Sequence, residues 1–181
     1  IARFSGDPRL VPIEEAYYTD HGKKDLVIAK LRDAVRSGDT QAGTLKRLLG
    51  FYIEAEGRKE RLAMFQKKAD ADPSDVLSVF FTGVILHYER DYALSTDYLK
   101  KVEGKVSDEP RLYIYLAMNA FNLGDREASE SYISKAAALD QEDPDVAYCV
   151  AEIFRDSDRK RALKAVDRYW EMTKFTSDVN S

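Results

Sequence analysis

The chain has one cysteine, Cys149, which excludes an internal disulfide and any multi-cysteine metal site. Its 9 glycines and 5 prolines are too few for a loop-rich all-β chain. The longest apolar stretch without a charge, Val76 to Leu86, is interrupted by Ser78, Thr82 and Gly83 and is too short to span a bilayer. Positive charge is not in excess. Against 32 Asp and Glu stand 28 Lys and Arg, a net charge of −4, which argues against a general affinity for nucleic acid. The two histidines, His21 and His87, lie far apart, and neither has a metal-type partner four residues on. There is no GxGxxG, P-loop or HExxH. Cys149, between Tyr148 and Val150, reads as a small core residue rather than a nucleophile. These absences together predict a non-enzyme with no catalytic residue, no metal and no cofactor.

What is present is a chain of 181 residues, 44% hydrophobic and 33% charged, the composition of a soluble globular protein. Lack of disulfides suits a reducing cytoplasm better than a periplasm. The chain opens on Ile1 rather than Met, and residues up to Pro8 show no basic segment followed by an apolar run. Membrane contact is therefore expected only through a segment not present in this chain.

The dominant signal is internal periodicity. Asp72-Pro73, Glu109-Pro110 and Asp143-Pro144 each precede an apolar run, their prolines 37 and 34 residues apart. Proline ends one helix and presets the first turn of the next. Small residues form a second ruler: Gly50, Gly83, Ala117 and Ala151, spaced by 33, 34 and 34. A third, Ala69, Val102 and Ala136, is spaced by 33 and 34. Each period reads as two helices. The first is apolar on several faces, as in Leu112, Ile114, Leu116, Met118 and Phe121. The second carries one apolar stripe, as in Ala128, Tyr132, Ile133, Ala136 and Leu139. A turn such as Leu123-Gly124-Asp125 joins them. The small residues are expected to let the paired helices approach closely. Units are expected at about 10–38, 43–73, 76–107, 110–141 and 144–172, with an N-terminal extension over 1–9 and a polar tail over 173–181.

Leu116-Ala117, Leu123-Gly124-Asp125, Tyr132, Ala136 and Leu139-Asp140 resemble the tetratricopeptide repeat (TPR) family, as do Leu49-Gly50, Gly57, Ala69 and Asp72-Pro73. Gly83, Tyr98 and Leu99 mark another unit, and Pro144, Ala151 and Ala162 the last, where Tyr169-Trp170 are bulkier than the pattern. The resemblance covers about residues 10 to 172. It implies an all-α, right-handed superhelical solenoid of about five helix–turn–helix units, with first helices lining a concave side.

First-helix positions not used within their own unit are expected to line that groove. They are Arg47 and Phe51, with Thr44 and Glu54 beside them; Phe80, Val84, His87 and Tyr88; Arg111, Ile114, Tyr115, Met118 and Phe121; and Tyr148, Glu152 and Arg155. Aromatics with arginine dominate binding hot spots. The function expected is a protein-interaction scaffold taking a peptide or partner helix in this groove. The competing reading is that individual members pack between neighbouring first helices. Some family members that receive chaperone tails hold a terminal carboxylate through two Asn; Phe51 and Val84 stand where Asn would be needed, so that clamp is not expected. Arg155 to Lys164, the most basic segment, reads as a solvated turn and helix face. Alternatives for the whole chain are a self-associating structural component, or a regulatory or assembly domain of a larger or membrane-anchored envelope protein.

Overall fold

A computed structural model describes residues 11–36 and 44–177. The expected extension over 1–9 and the tail end over 178–181 lie outside them. Among the described residues the structure has ten α-helices and no strand. It divides into two compact units, the first ending at Glu56 and the second starting at Gly57. That boundary falls inside the segment 43–73, expected from sequence to be one repeat.

The first unit contains α1 (Val11–Asp20), α2 (Lys24–Arg36) and α3 (Thr44–Ile53). Gly22, at φ +69°, makes the turn after α1, and Lys23 N–H donates back to the Tyr18 carbonyl at 2.7 Å. Val27 and Leu31 of α2 and Leu48, Leu49 and Tyr52 of α3 are buried. Lys24 links the two helices through an ion pair with Glu54.

The second unit contains α4 (Arg58–Ala71), α5 (Val76–Tyr88), α6 (Tyr92–Val102), α7 (Pro110–Asn122), α8 (Arg126–Leu139), α9 (Pro144–Phe154) and α10 (Arg159–Ser177). The helix starts explain the spacing in the sequence. Asp91 and Asp125 cap α6 and α8, accepting from Leu94 N–H at 3.2 Å and Ala128 N–H at 3.0 Å. Glu109 and Asp143 cap α7 and α9 ahead of a first-turn proline. The turns before α4, α6 and α8 pass through the left-handed region at Gly57, Arg90 and Gly124. Arginine occupies this conformation where glycine stands in the other two turns.

Packing follows sequence order. Helix α5 packs on α4 and α6, α7 on α8, and α9 on α10, while α7 also packs on α5 and α9 on α7. Leu99, Val102, Leu112, Leu116, Ile133 and Ala136 form the centre of the core. The second helices are stitched by polar pairs along the opposite edge. Tyr98 O–H donates to Asp70 at 2.7 Å, Lys135 meets Glu103 at 3.2 Å, and Arg161 donates to Ser134 Oγ at 3.2 Å.

Two expectations need correction. Gly83 sits at a close crossing, where an added Cβ would lie 2.7 Å from Leu99 Cγ. Gly50, at the same place in the ruler, is exposed and has no atom of the described residues within 4 Å of an added Cβ. The spacing is shared; the close approach is not. The last helix also runs past the expected end at 172 to Ser177, because residues 173–177 contain neither proline nor glycine to stop it.

Candidate functional site

Three first helices carry equivalent positions 34 residues apart: Phe80, Ile114 and Tyr148; Val84, Met118 and Glu152; His87, Phe121 and Arg155. Burial along the first row is decisive. Phe80 is 2% exposed and Ile114 7%, but Tyr148 is 56% exposed. Val84 is fully buried, and Met118 is half-buried. Phe80, Val84 and Ile114 are therefore core residues, not groove residues as expected. Helix α7 lies on α5 and α9 on α7; among the described residues no further first helix packs on α9, and Tyr148 is exposed there.

Arg111 is likewise not a groove-rim cation. Its side chain is only 12% exposed and lies 2.6 Å from Asp143, 3.5 Å from Glu109 and 3.8 Å from Asp145. It ties the start of α7 to the start of α9, and its charge is spent on that junction. In the first unit Arg47 and Phe51 are half-buried, Phe51 under the Lys24 ammonium at 5.2 Å, while Thr44 is buried and Glu54 exposed.

Around His87 lies an aromatic cluster. Tyr88, Tyr92 and Tyr115 surround its ring at centroid distances of 5.4, 5.6 and 5.2 Å. Tyr88 is partly exposed, with the Arg58 guanidinium 5.8 Å from its ring and Arg58 paired to Glu89 at 3.1 Å. Burial, reinforced by Tyr88, holds the Tyr115 phenol well above its usual range, so it stays protonated. Beneath the cluster runs a chain of hydrogen bonds. Ser95 O–H donates to the Gly83 carbonyl at 2.7 Å, and Asn119 Nδ2–H donates to Ser95 Oγ at 2.8 Å. The Asn119 oxygen is left to accept, 2.7 Å from His87 Nδ1. His87 Nδ1 thus carries a proton and donates it to Asn119.

Burial lowers the His87 pKa from 6.5, with the Asn119 hydrogen bond opposing it. A depressed histidine contributes stability that is complete above the unfolded value and declines as pH falls through 6.5 toward the folded value. Urea titrations at about pH 7.5 and pH 5.5 check this. His87→Gln, which keeps a donor for Asn119, is expected to lose less stability on acidification than the wild type. Equal losses would show that His87 does not carry the effect.

The open surface is a cleft of about 610 Å³ between α9 and α10. Tyr148, Ala151, Glu152 and Arg155 line one wall; Leu163, Val166 and Tyr169 line the other. Leu163, Val166 and Trp170, at helical spacings of three and four, make an exposed apolar stripe, with Trp170 65% exposed. Arg155 pairs with Glu152 at 3.0 Å on the rim. Of the expected groove residues the structure brings Tyr148, Glu152 and Arg155 together here, and it adds the α10 wall, of which sequence reading took only the part up to Lys164 as a solvated face. The stripe in the last helix was the available signal. Behind the cleft Cys149 is buried, and burial with nearby Asp145, Asp143 and Glu152 pushes its thiol up to about 12. A thiol in that state is a packing residue. Among the described residues no group of His, Cys, Asp and Glu could hold a metal ion, and no helix is long and apolar enough to cross a membrane.

Paired helices, a period of 34 and an end unit with an open face define an all-α repeat fold of the tetratricopeptide kind. Solved structures agree on the fold. The chain is similar to a MamA double mutant (TM-score 0.65, 16% identity, covering 94% of this chain and 96% of that one). It is also similar to MamA 41-end from Desulfovibrio magneticus RS-1 (TM-score 0.64, 17% identity, covering 92% and 94%). No family model matches this sequence, and no curated protein matches it.

Proposed function

We propose that the chain is a non-enzymatic scaffold that holds a peptide or helix of a protein partner against its repeat face, chiefly in the cleft between α9 and α10. The observation that carries this is the exposure of Tyr148, Leu163 and Val166 together around one concave surface, where Phe80 and Ile114, the equivalents of Tyr148 inside the stack, are buried. Contiguous apolar surface of this kind, rimmed by charge, marks an interaction site. The similarity to the MamA structures supports the fold on which this reading depends. The acidic balance favours protein over nucleic acid.

The test compares affinity capture by wild type and by a Tyr148→Ser, Leu163→Ser double variant, with circular dichroism confirming that the variant is folded. A partner held by the wild type and lost by the variant supports the proposal. Unchanged capture removes the cleft as the site. Self-association through the same face is the second reading, favoured by the exposure of Trp170. A monomer independent of concentration in light scattering eliminates it.

A further inference from the structure

Resting on that reading, we infer that the cleft seats an α-helix of a separate partner chain, laid along α9 as α9 lies along α7, and that this helix carries a basic first turn.

The seat is defined by the repeat itself. Helix α9 packs on α7, where Ile114 and Ala117 are buried; Tyr148 and Ala151, the same positions 34 residues on, line the open cleft. The open cleft continues an interface already formed inside the protein, so a helix has the shape that fits it. The composition of the row says how permanent the occupant is. Inside the stack the row reads Phe80, Val84, His87 and then Ile114, Met118, Phe121; at the end it reads Tyr148, Glu152, Arg155. Charge at the last two positions belongs to a surface that spends time in water, as in interfaces that form and dissociate. A permanently attached further repeat would want the apolar row.

Charge sets the chemistry of the partner. At the internal junction Arg111, second residue of α7, reaches the acidic start of α9: Asp143 at 2.6 Å and Asp145 at 3.8 Å. The same place in α9 is Asp145. Both segments carry a cap that accepts from the residue after proline, Arg111 N–H to Glu109 at 3.1 Å and Asp145 N–H to Asp143 at 2.8 Å, so the registers correspond. A helix taking the next seat meets the half-exposed Asp145 carboxylate, itself within 3.8 Å of Arg111, where α9 meets a guanidinium; with Asp143 and Glu109 also on Arg111, the acidic groups of this junction outnumber its one cation. Acidic capping residues are repelled there, and a lysine or arginine long enough to reach the short Asp145 side chain is attracted.

Trp170, the one tryptophan of the chain, is exposed one turn beyond Val166, at helical spacing from the cleft residues Leu163 and Val166, and its emission is the readout. The probes are two synthetic peptides of residues 141–156, both with Cys149→Ala, which contain no tryptophan. One keeps Asp143 and Asp145; the other carries Asp143→Ser, which preserves a helix cap, and Asp145→Lys. Both are expected to shift Trp170 emission to the blue, the lysine peptide binding about three- to tenfold tighter at low salt. Protein Asp145→Asn should collapse that preference, and protein Leu163→Ser should abolish binding of both, with helical circular dichroism unchanged. If neither peptide moves Trp170, the cleft is not a helix seat and the functional reading fails with the inference. If both bind but the acidic peptide binds equally or better, the charge inference fails alone. Binding that survives Leu163→Ser places the site elsewhere and overturns both. A blue shift on concentrating the protein without peptide, with a dimer in light scattering, makes the occupant a second copy and overturns the separate partner.

Discussion

Replacing Gly83 by alanine is expected to destabilise the protein by about 2 kcal/mol, in urea or thermal denaturation followed by circular dichroism. The new Cβ would stand 2.7 Å from Leu99 Cγ and 3.3 Å from the Leu99 backbone nitrogen. Leu99 is fully buried and cannot swing into solvent, so α5 and α6 must separate. Moving them also stretches the bond from Ser95 to the Gly83 carbonyl. The helix propensity of alanine recovers up to about 1 kcal/mol, and the figure is net of it. Gly50→Ala supplies the control. It offers the same propensity gain in an exposed helix with open space around the new methyl, so it is expected to stabilise by about 0.5–1 kcal/mol. Two glycines one repeat apart should thus shift stability in opposite directions. A Gly83→Ala protein as stable as the wild type would mean that the two helices adjust freely at their crossing.

Asn119→Ala is expected to cost about 3–4 kcal/mol, through lost hydrogen bonds and the cavity left in a packed site. Asn119 is fully buried and joins three helices: it lies on α7, donates to Ser95 on α6 and accepts from His87 on α5. Removing the amide leaves the His87 Nδ1–H without its acceptor in a largely buried site, which adds to the cost of the lost bonds. Ser129 is the informative comparison. It stands 34 residues after Ser95 and is equally buried, yet its hydroxyl has no hydrogen-bond partner among the described residues. Ser129→Ala is therefore expected to change stability by less than about 0.5 kcal/mol or to improve it. Because Gly83, Ser95, Asn119 and His87 share one chain of contacts, double substitutions within it should not add. A mild effect of Asn119→Ala would show that water replaces the amide.

The helical architecture was legible because its signals are local. Asp91 and Asp125 cap helices within three residues of themselves, and Pro110 and Pro144 start theirs. The ruler of Ala69, Val102 and Ala136 falls on buried positions for the same reason: one stripe per second helix leaves a single face to bury. First helices carry less information. Val76–Tyr88 is apolar nearly all round, so Phe80 and Val84, which are buried, look in sequence like residues lining an open groove. Only the position of the following helix separates the two cases. The change from Ile114 and Met118 to Tyr148 and Glu152 was the one hint that the row emerges into solvent at its end. Asn119 amid apolar neighbours was a hint of another kind, since a buried amide needs partners, but those partners lie 24 and 32 residues away. Gly50 shows the converse: spacing copies a pattern even where the local environment no longer uses it.

The two edges of the second unit differ in what they are made of. First helices bury apolar side chains such as Phe80 and Ile114, whereas long exposed side chains link the second helices, Lys135 to Glu103 at the end of α6 and Arg161 to Ser134. Close-packed cores resist compression, while solvated ion pairs lengthen at little cost and weaken with salt. One edge of the second unit is thus held chiefly by packing, while the other adds solvated polar pairs, and added salt weakens chiefly the latter.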